Sequence, residues 1–162
     1  MEFTPLTKYP SYEMSKNGTV RNVATGKIKA IDINNRGYKS VHLYENGKVN
    51  RKQIHVLLAE QFIPNPSNKT RVDHIDKNKL NNDLNNLRWA TISENAMNCK
   101  IPKDNTSGCK GVWKYTHKKT GKITWIAEIR INGKKKTKHA KTKEDAIKAR
   151  KQLEEEYFGE FA

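Results

Sequence analysis

The sequence predicts an α+β fold assembled from small modules, on three observations. The first third is filled with short stretches that alternate polar and apolar residues, punctuated by Asn-Gly pairs. A dense apolar run, IHVLLAEQF, then breaks that alternation at helical spacing. The last third returns to alternating stretches and closes on a long amphipathic segment, TKEDAIKARKQLEEEYF. A chain of 162 residues has room for one ordinary domain or for two or three very small ones.

The elements follow in order. SKNGTV and YENGKV each carry an Asn-Gly turn, at Asn17-Gly18 and Asn46-Gly47. Tight hairpin turns need positive φ, which Asn and Gly tolerate best. Between them GYKSVHLY alternates through Val41 and Leu43, as a strand with one buried face does. In the apolar run, Ile54, Leu57, Leu58 and Phe62 fall on one helical face, and Pro64 and Pro66 end the helix. RVDH and LRWA read as two short strands around the loop IDKNKLNNDLNN. TISEN then opens a helix, with Thr91 as N-cap and Glu94 three residues on. After the turn-rich IPKDNTSG come GVWKY, TWIAEIRI and KKKTKHA, three expected strands, the last following an Asn132-Gly133 turn. Trp125, Ala127, Ile129 and Ile131 alternate in the second of them. Thr142 caps the final helix with Asp145 three residues on, and Ala146, Ala149, Leu153 and Tyr157 form its expected apolar stripe. These divisions predict a strand-rich module over 1–51, a central module over 52–100, a linker over 101–106 and a sheet-plus-helix module over 107–162.

Charge narrows the partners. The formal net charge is +15 and apolar content is 35%. Residues 101–143 hold 13 Lys and Arg against 2 acids. Such a density suits a surface that follows phosphates and displaces their counterions. Lys114, Lys118, Lys119, Arg130, Lys134, Lys136 and Lys138 are the candidate contacts, and Arg130 alone has the planar fork that reads guanine. Trp113 and Trp125 can stack on bases or enter the core, with the core favoured for Trp125 and also for Trp89. Cys99 and Cys109 lack the spacing of a structural zinc site. The opening MEFTPLTKYP has no apolar leader core, and no segment approaches a membrane span, so the expectation is a cytoplasmic chain with no membrane partner.

The chemistry concentrates in VDHIDKNKLNNDLNNLRWATISEN. Strand, loop, strand and helix bring Asp73 and Asn95 into one small unit although about 22 residues separate them. A carboxylate and an amide oxygen are hard ligands suited to Mg²⁺, which keeps waters and accepts phosphate oxygens to complete its shell. His74 beside Asp73 is an imidazole able to take a proton from water. The remaining asparagines of the loop, Asn78, Asn81, Asn82 and Asn85, read as turn builders. His55 reads as a structural histidine, with support of the site as the second reading.

On these residues the segment resembles the HNH, or ββα-metal, nuclease motif as it occurs in phage and intron homing endonucleases. DH, NNDLNNLRW and SEN carry the resemblance. It implies a central ββα-metal nuclease, with His74 as general base, Asp73 and Asn95 as ligands of Mg²⁺ or Mn²⁺, and Asn86 as the residue that pins the loop to backbone. The N-terminal stretch resembles the module that precedes this motif in phage homing nucleases. Residues 107–150 resemble the plant ethylene-response-factor (APETALA-type) DNA-binding domain, a three-stranded sheet that enters the major groove. The resemblance therefore implies a site-specific endonuclease on double-stranded DNA, without a protein partner, as a monomer or weak dimer in a bacterial host's cytosol. The rival expectations are a DNA-binding regulator without catalysis and an RNA-directed protein.

Overall fold

The computed structural model describes residues 1–99, 101, 103–131 and 133–159. Asn132 of the expected turn, and Lys100 and Pro102 at the expected boundary and linker, lie outside the described residues. The chain forms two compact units, Met1–Thr91 and Ile92–Ala162. The architecture is α+β throughout.

In the first unit, β1 (Thr4–Leu6), β2 (Tyr9–Met14) and β3 (Val20–Asn22) form one antiparallel sheet in sequential order. A second sheet joins β4 (Ile31–Ile33), β5 (Lys39–Glu45) and β6 (Lys48–Gln53). Asn46 and Gly47 both take positive φ, 50° and 72°, at the β5–β6 hairpin, as a tight turn between twisted strands demands. β6 runs straight into α1 (Ile54–Phe62), whose backbone stops at Ile63 just before Pro64. Met14 and Val20 from the first sheet, Val41 and Leu43 from the second, and Leu57 and Leu58 from α1 are buried in one cluster. Leu87 joins it, so the residues on both sides of position 51 share a single core. No residue in this cluster is charged, and its burial is the main stabilising term of the unit.

β7 (Arg71–His74) pairs antiparallel with β8 (Leu87–Ala90), and α1 packs against both. The register sets Asp73 opposite Arg88 and His74 opposite Leu87. A single 3-10 turn, Leu84–Asn86, leads into β8. The short strands and the sequence between them follow the expected order.

The second unit opens with α2 (Ile92–Met97). Lys110 Nζ reaches the carbonyl oxygens of Ala96 and Met97 at its end, where the helix dipole favours a cation. β9 (Val112–Thr116), β10 (Ile123–Ile131) and β11 (Lys134–Ala140) form an antiparallel sheet with β10 central. α3 (Lys143–Phe158) packs on it. Thr142 caps α3 by accepting the Asp145 N–H at 3.1 Å while its hydroxyl donates to the Asp145 carboxylate at 2.8 Å.

Two expectations about this core need correction. Phe158, not Tyr157, closes the apolar stripe: Phe158 is buried and Tyr157 exposed, with Lys136 lying over its ring. Trp125 is half-buried, while Ala127 and Ile129 are buried on the same face of β10 and Ile126 is buried on the opposite one. The other core member is a charge. Arg150 is buried on α3, its Nη1 donating to the Glu128 carbonyl and its Nε to Glu154 at 2.9 Å. A buried guanidinium holds its place only when its N–H groups are used this way. Gly111 lies against the same group with φ +71°.

Candidate active site and basic sheet

Asp73 and His74 end β7, and both side chains are almost fully covered. Asp73 Oδ2 accepts from Arg88 Nε at 3.0 Å, an ion pair between residues that the β7–β8 register sets opposite each other. Two rings flank His74. The His55 ring lies 4.7 Å from it, centroid to centroid, the Tyr38 ring 6.0 Å, and its Nε2 is 3.0 Å from Asn82 Oδ1. Tyr38 is set by an Asx turn: Asn34 Oδ1 accepts from the N–H groups of Arg36 and Tyr38, both at 3.0 Å. Lys79 Nζ sits 4.7 Å over the Tyr38 ring and donates to the Arg36 carbonyl at 3.0 Å, which ties this turn to the asparagine-rich loop.

That loop is held from within. Asn86 Oδ1 accepts the Asp76 N–H at 3.0 Å, and its Nδ2 donates to Asp76 Oδ1 at 2.9 Å and to the Asn81 carbonyl at 2.8 Å. The Asn86 carbonyl takes the Ile75 N–H at 2.9 Å. Hydrogen bonds from Asn81 and from the Asn78 N–H, with a lesser one from Asn86, hold the Asp76 carboxyl below the usual carboxylate range. Lys77 takes φ +61° next to this knot, and its N–H returns to the His74 carbonyl at 2.9 Å. The consequence is a rigid loop hung directly from His74. Asn95 lies on α2, in the second unit.

His55 is buried beside His74, and its Nδ1 has no hydrogen-bond partner. Burial first, and the neighbouring His74 second, lower its pKa to about 3. Its neutral form is therefore built into the fold. The unfolded chain binds a proton near pH 6.5 that the folded chain refuses until about 3. Stability contributed by this group is complete above pH 6.5 and falls as pH drops toward 3, by at most about 1.4 kcal/mol per unit. Urea midpoints of the protein between pH 7 and 4 should fall with pH, and His55→Phe should flatten that slope. An unchanged slope in the variant would refute the assignment.

The sheet of the second unit divides the expected DNA contacts. Residues paired across strands share a face. Ala127 and Ile129, buried, pair with Lys138 and Lys136, and Lys114 and Lys134 fall on the same side. Lys138 Nζ bonds Gln152 of α3 at 3.3 Å, so this is the helix-covered face. Lys118 and Lys119 sit in the β9–β10 turn. Arg130 alone of the seven lies on the open face, together with Trp113, which the sequence offers for stacking, with His139, and with Tyr115 and Thr137, which the sequence did not single out. Trp113 and Tyr115 meet edge to face at 6.3 Å, and Tyr115 meets His117 at 4.8 Å. Period-two alternation was the available signal: in KKKTKHA every second residue points away from its neighbours.

Among the described residues no group of three His, Cys, Asp or Glu side chains is placed to hold a metal. A donor set of one carboxylate and one amide fits a hard ion completed by substrate phosphate and does not fit a tightly held resident metal.

Residues 52–97 match the HNH endonuclease family, the segment that contains α1, the β7–β8 hairpin and α2. Relatives extend the likeness. The chain is 32% identical over 108 residues to H-N-H endonuclease F-TflII of Escherichia phage T5, across 65% of this chain and 56% of that protein. It is 35% identical over 99 residues to DNA endonuclease I-HmuI of Bacillus phage SP01, across 60% and 57%. The uncharacterized HNH endonuclease L245 of Acanthamoeba polyphaga mimivirus is 38% identical over 88 residues, 54% of this chain but 26% of the relative. The chain thus spans less than two thirds of the length of each of these relatives. The solved structure of the HNH homing endonuclease I-HmuI, described for its binding and cleavage of DNA, superposes with a TM-score of 0.57 at 26% identity, covering 96% of this chain and 88% of that one.

Proposed function

We propose that the protein is a site-specific endonuclease that hydrolyses phosphodiester bonds of double-stranded DNA with one divalent ion, Mg²⁺ or Mn²⁺. The observation that carries the reading is the Asp73–His74 pair at the end of β7, held between Arg88 and a loop knotted on Asn86 and Asp76. In this reading His74 takes a proton from water, the resulting hydroxide oxygen attacks phosphorus, the bond to the 3′ oxygen breaks, and that oxygen takes a proton from solvent water. The products carry 5′-phosphate and 3′-hydroxyl ends. Asp73 supplies a carboxylate ligand and Asn95 an amide ligand, the latter on the strength of the sequence motif. The ion, when bound, neutralises charge that grows on the phosphoryl group and the leaving oxygen. Asn86 keeps the loop, and with it His74, in place.

The second unit serves as the duplex grip. Its ethylene-response-factor-like sheet meets DNA with the open face, through Arg130 and the aromatic row Trp113, Tyr115 and His117, while Lys118 and Lys119 reach phosphates from the turn. The helix-side lysines add to the field without touching base edges. The reading includes no protein partner and a monomer or weak dimer in a host cytosol. Supercoiled plasmid incubated with the protein and Mg²⁺ should be nicked or linearised, with ends that a ligase reseals. Chelator should stop cleavage and leave gel retardation. Retardation with no cleavage under Mg²⁺ or Mn²⁺ would reduce the protein to a DNA-binding regulator.

A further inference from the structure

We infer that Asn82 is a positioning residue that fixes which nitrogen of His74 accepts the proton; the inference rests on the nuclease reading above. An imidazole can serve as a base only through the nitrogen that lacks a hydrogen, and the partner of the other nitrogen decides which one that is. Here His74 Nε2 lies 3.0 Å from Asn82 Oδ1, a separation at which Nε2–H donates to the amide oxygen. The lone pair is then on Nδ1.

Three features make this contact more than a loop accident. First, the ring is confined: His55 and Tyr38 stand 4.7 and 6.0 Å from it, so it cannot swing to exchange one nitrogen for the other without displacing two aromatic neighbours. Second, Asn82 is delivered by the rigid part of the loop. Asn81 before it donates to Asp76 at 2.7 Å through Nδ2, and its carbonyl is held by Asn86. Asp83 after it caps the 3-10 turn by accepting the Asn85 N–H at 2.8 Å. Third, Asn82 Nδ2 is buried and without a hydrogen-bond partner, so the amide accepts a loss at one end while its oxygen keeps the imidazole. When water gives its proton to Nδ1, both ring nitrogens carry hydrogen, and the Asn82 oxygen stabilises the positive charge that forms. In the sequence Asn82 reads as a turn builder, and the motif resemblance assigns it no role.

The tautomer can be read directly. In two-bond ¹H–¹⁵N spectra of the ¹⁵N-histidine-labelled full-length protein at pH 8, His74 should show a protonated Nε2 and a lone-pair Nδ1. Asn82→Ala should show averaged signals and lower kcat on plasmid by between about tenfold and a hundredfold, with KM within about twofold. Asn82→Asp keeps an acceptor at Nε2 and should keep the Nε2–H signature and recover most of kcat. A protonated Nδ1 in the active wild-type protein, or a wild-type kcat in Asn82→Ala, would overturn the assignment while leaving the nuclease reading intact. An Nε2–H signature in a wild-type protein that cleaves nothing would overturn the nuclease reading, and with it any role of Asn82 in cleavage.

Discussion

On the proposed function, His74→Ala should lower metal-dependent cleavage of plasmid by about 10²- to 10⁴-fold, the range over which a positioned general base accelerates proton transfer. Duplex retention on a gel should stay within about twofold of the parent, because the basic sheet belongs to the other compact unit. The change removes a buried ring that touches Tyr38 and His55, so some loss of stability accompanies it. Two readouts separate chemistry from folding. A thermal melt reports the stability cost, and gel retardation reports the intact grip. Cleavage that survives in a folded His74→Ala protein would remove His74 from the mechanism, whatever the stability change.

Gly111→Ala has the largest expected effect on stability, and it should act on the second unit. Gly111 has φ +71°, a left-handed conformation that costs any residue with a Cβ about 1–2 kcal/mol. A methyl group there would also collide with the Glu128 carbonyl oxygen and come within 2.6 Å of Arg150 Nη1. Neither neighbour can yield cheaply. The Gly111 carbonyl accepts the Glu128 N–H at 2.7 Å, and the Glu128 carbonyl is the acceptor that keeps the Arg150 charge satisfied in the core. Adding a methyl to a filled site costs a further 1–3 kcal/mol or so. The sum is on the order of 3 kcal/mol, to be read as a lowered denaturation midpoint for the second unit. DNA retention should weaken with it, while the first unit keeps its own transition. A variant as stable as the parent would show that the close approach at Gly111 is not a constraint.

Much of this arrangement is legible in the residues, for physical reasons that differ by element. The β7–β8 hairpin could be placed because RVDH and LRWA are short apolar-polar strands around a loop rich in turn-forming Asn and Asp. α1 could be placed because Ile54, Leu57, Leu58 and Phe62 share a face and Pro64 stops it. Arg88 as the partner of Asp73 is hidden in the sequence, since register across a loop of a dozen residues is set by pairing and not by spacing. Tyr38 was equally hidden: it reaches His74 from a different sheet, through a turn built by Asn34. In the second unit, charge density pointed to lysines, and only the register revealed that Lys114, Lys134, Lys136 and Lys138 share the helix-covered face. Arg150 was invisible because helical spacing marks apolar stripes, and a charge in such a stripe reads as solvent-facing until its acceptors are known. Tyr157 and Phe158 are neighbours one helical step apart, and a stripe that drifts by 100° per residue cannot choose between them.

The central claim is that Asp73, next to an imidazole base, holds a divalent ion that the DNA phosphate helps to bind. Mn²⁺ titration followed by electron paramagnetic resonance, with cleavable duplex present, tests it most directly. The account predicts a single bound ion in the parent protein that is lost in Asp73→Ala and weakened when DNA is omitted. Equal Mn²⁺ binding by the parent and by a folded Asp73→Ala protein would contradict it.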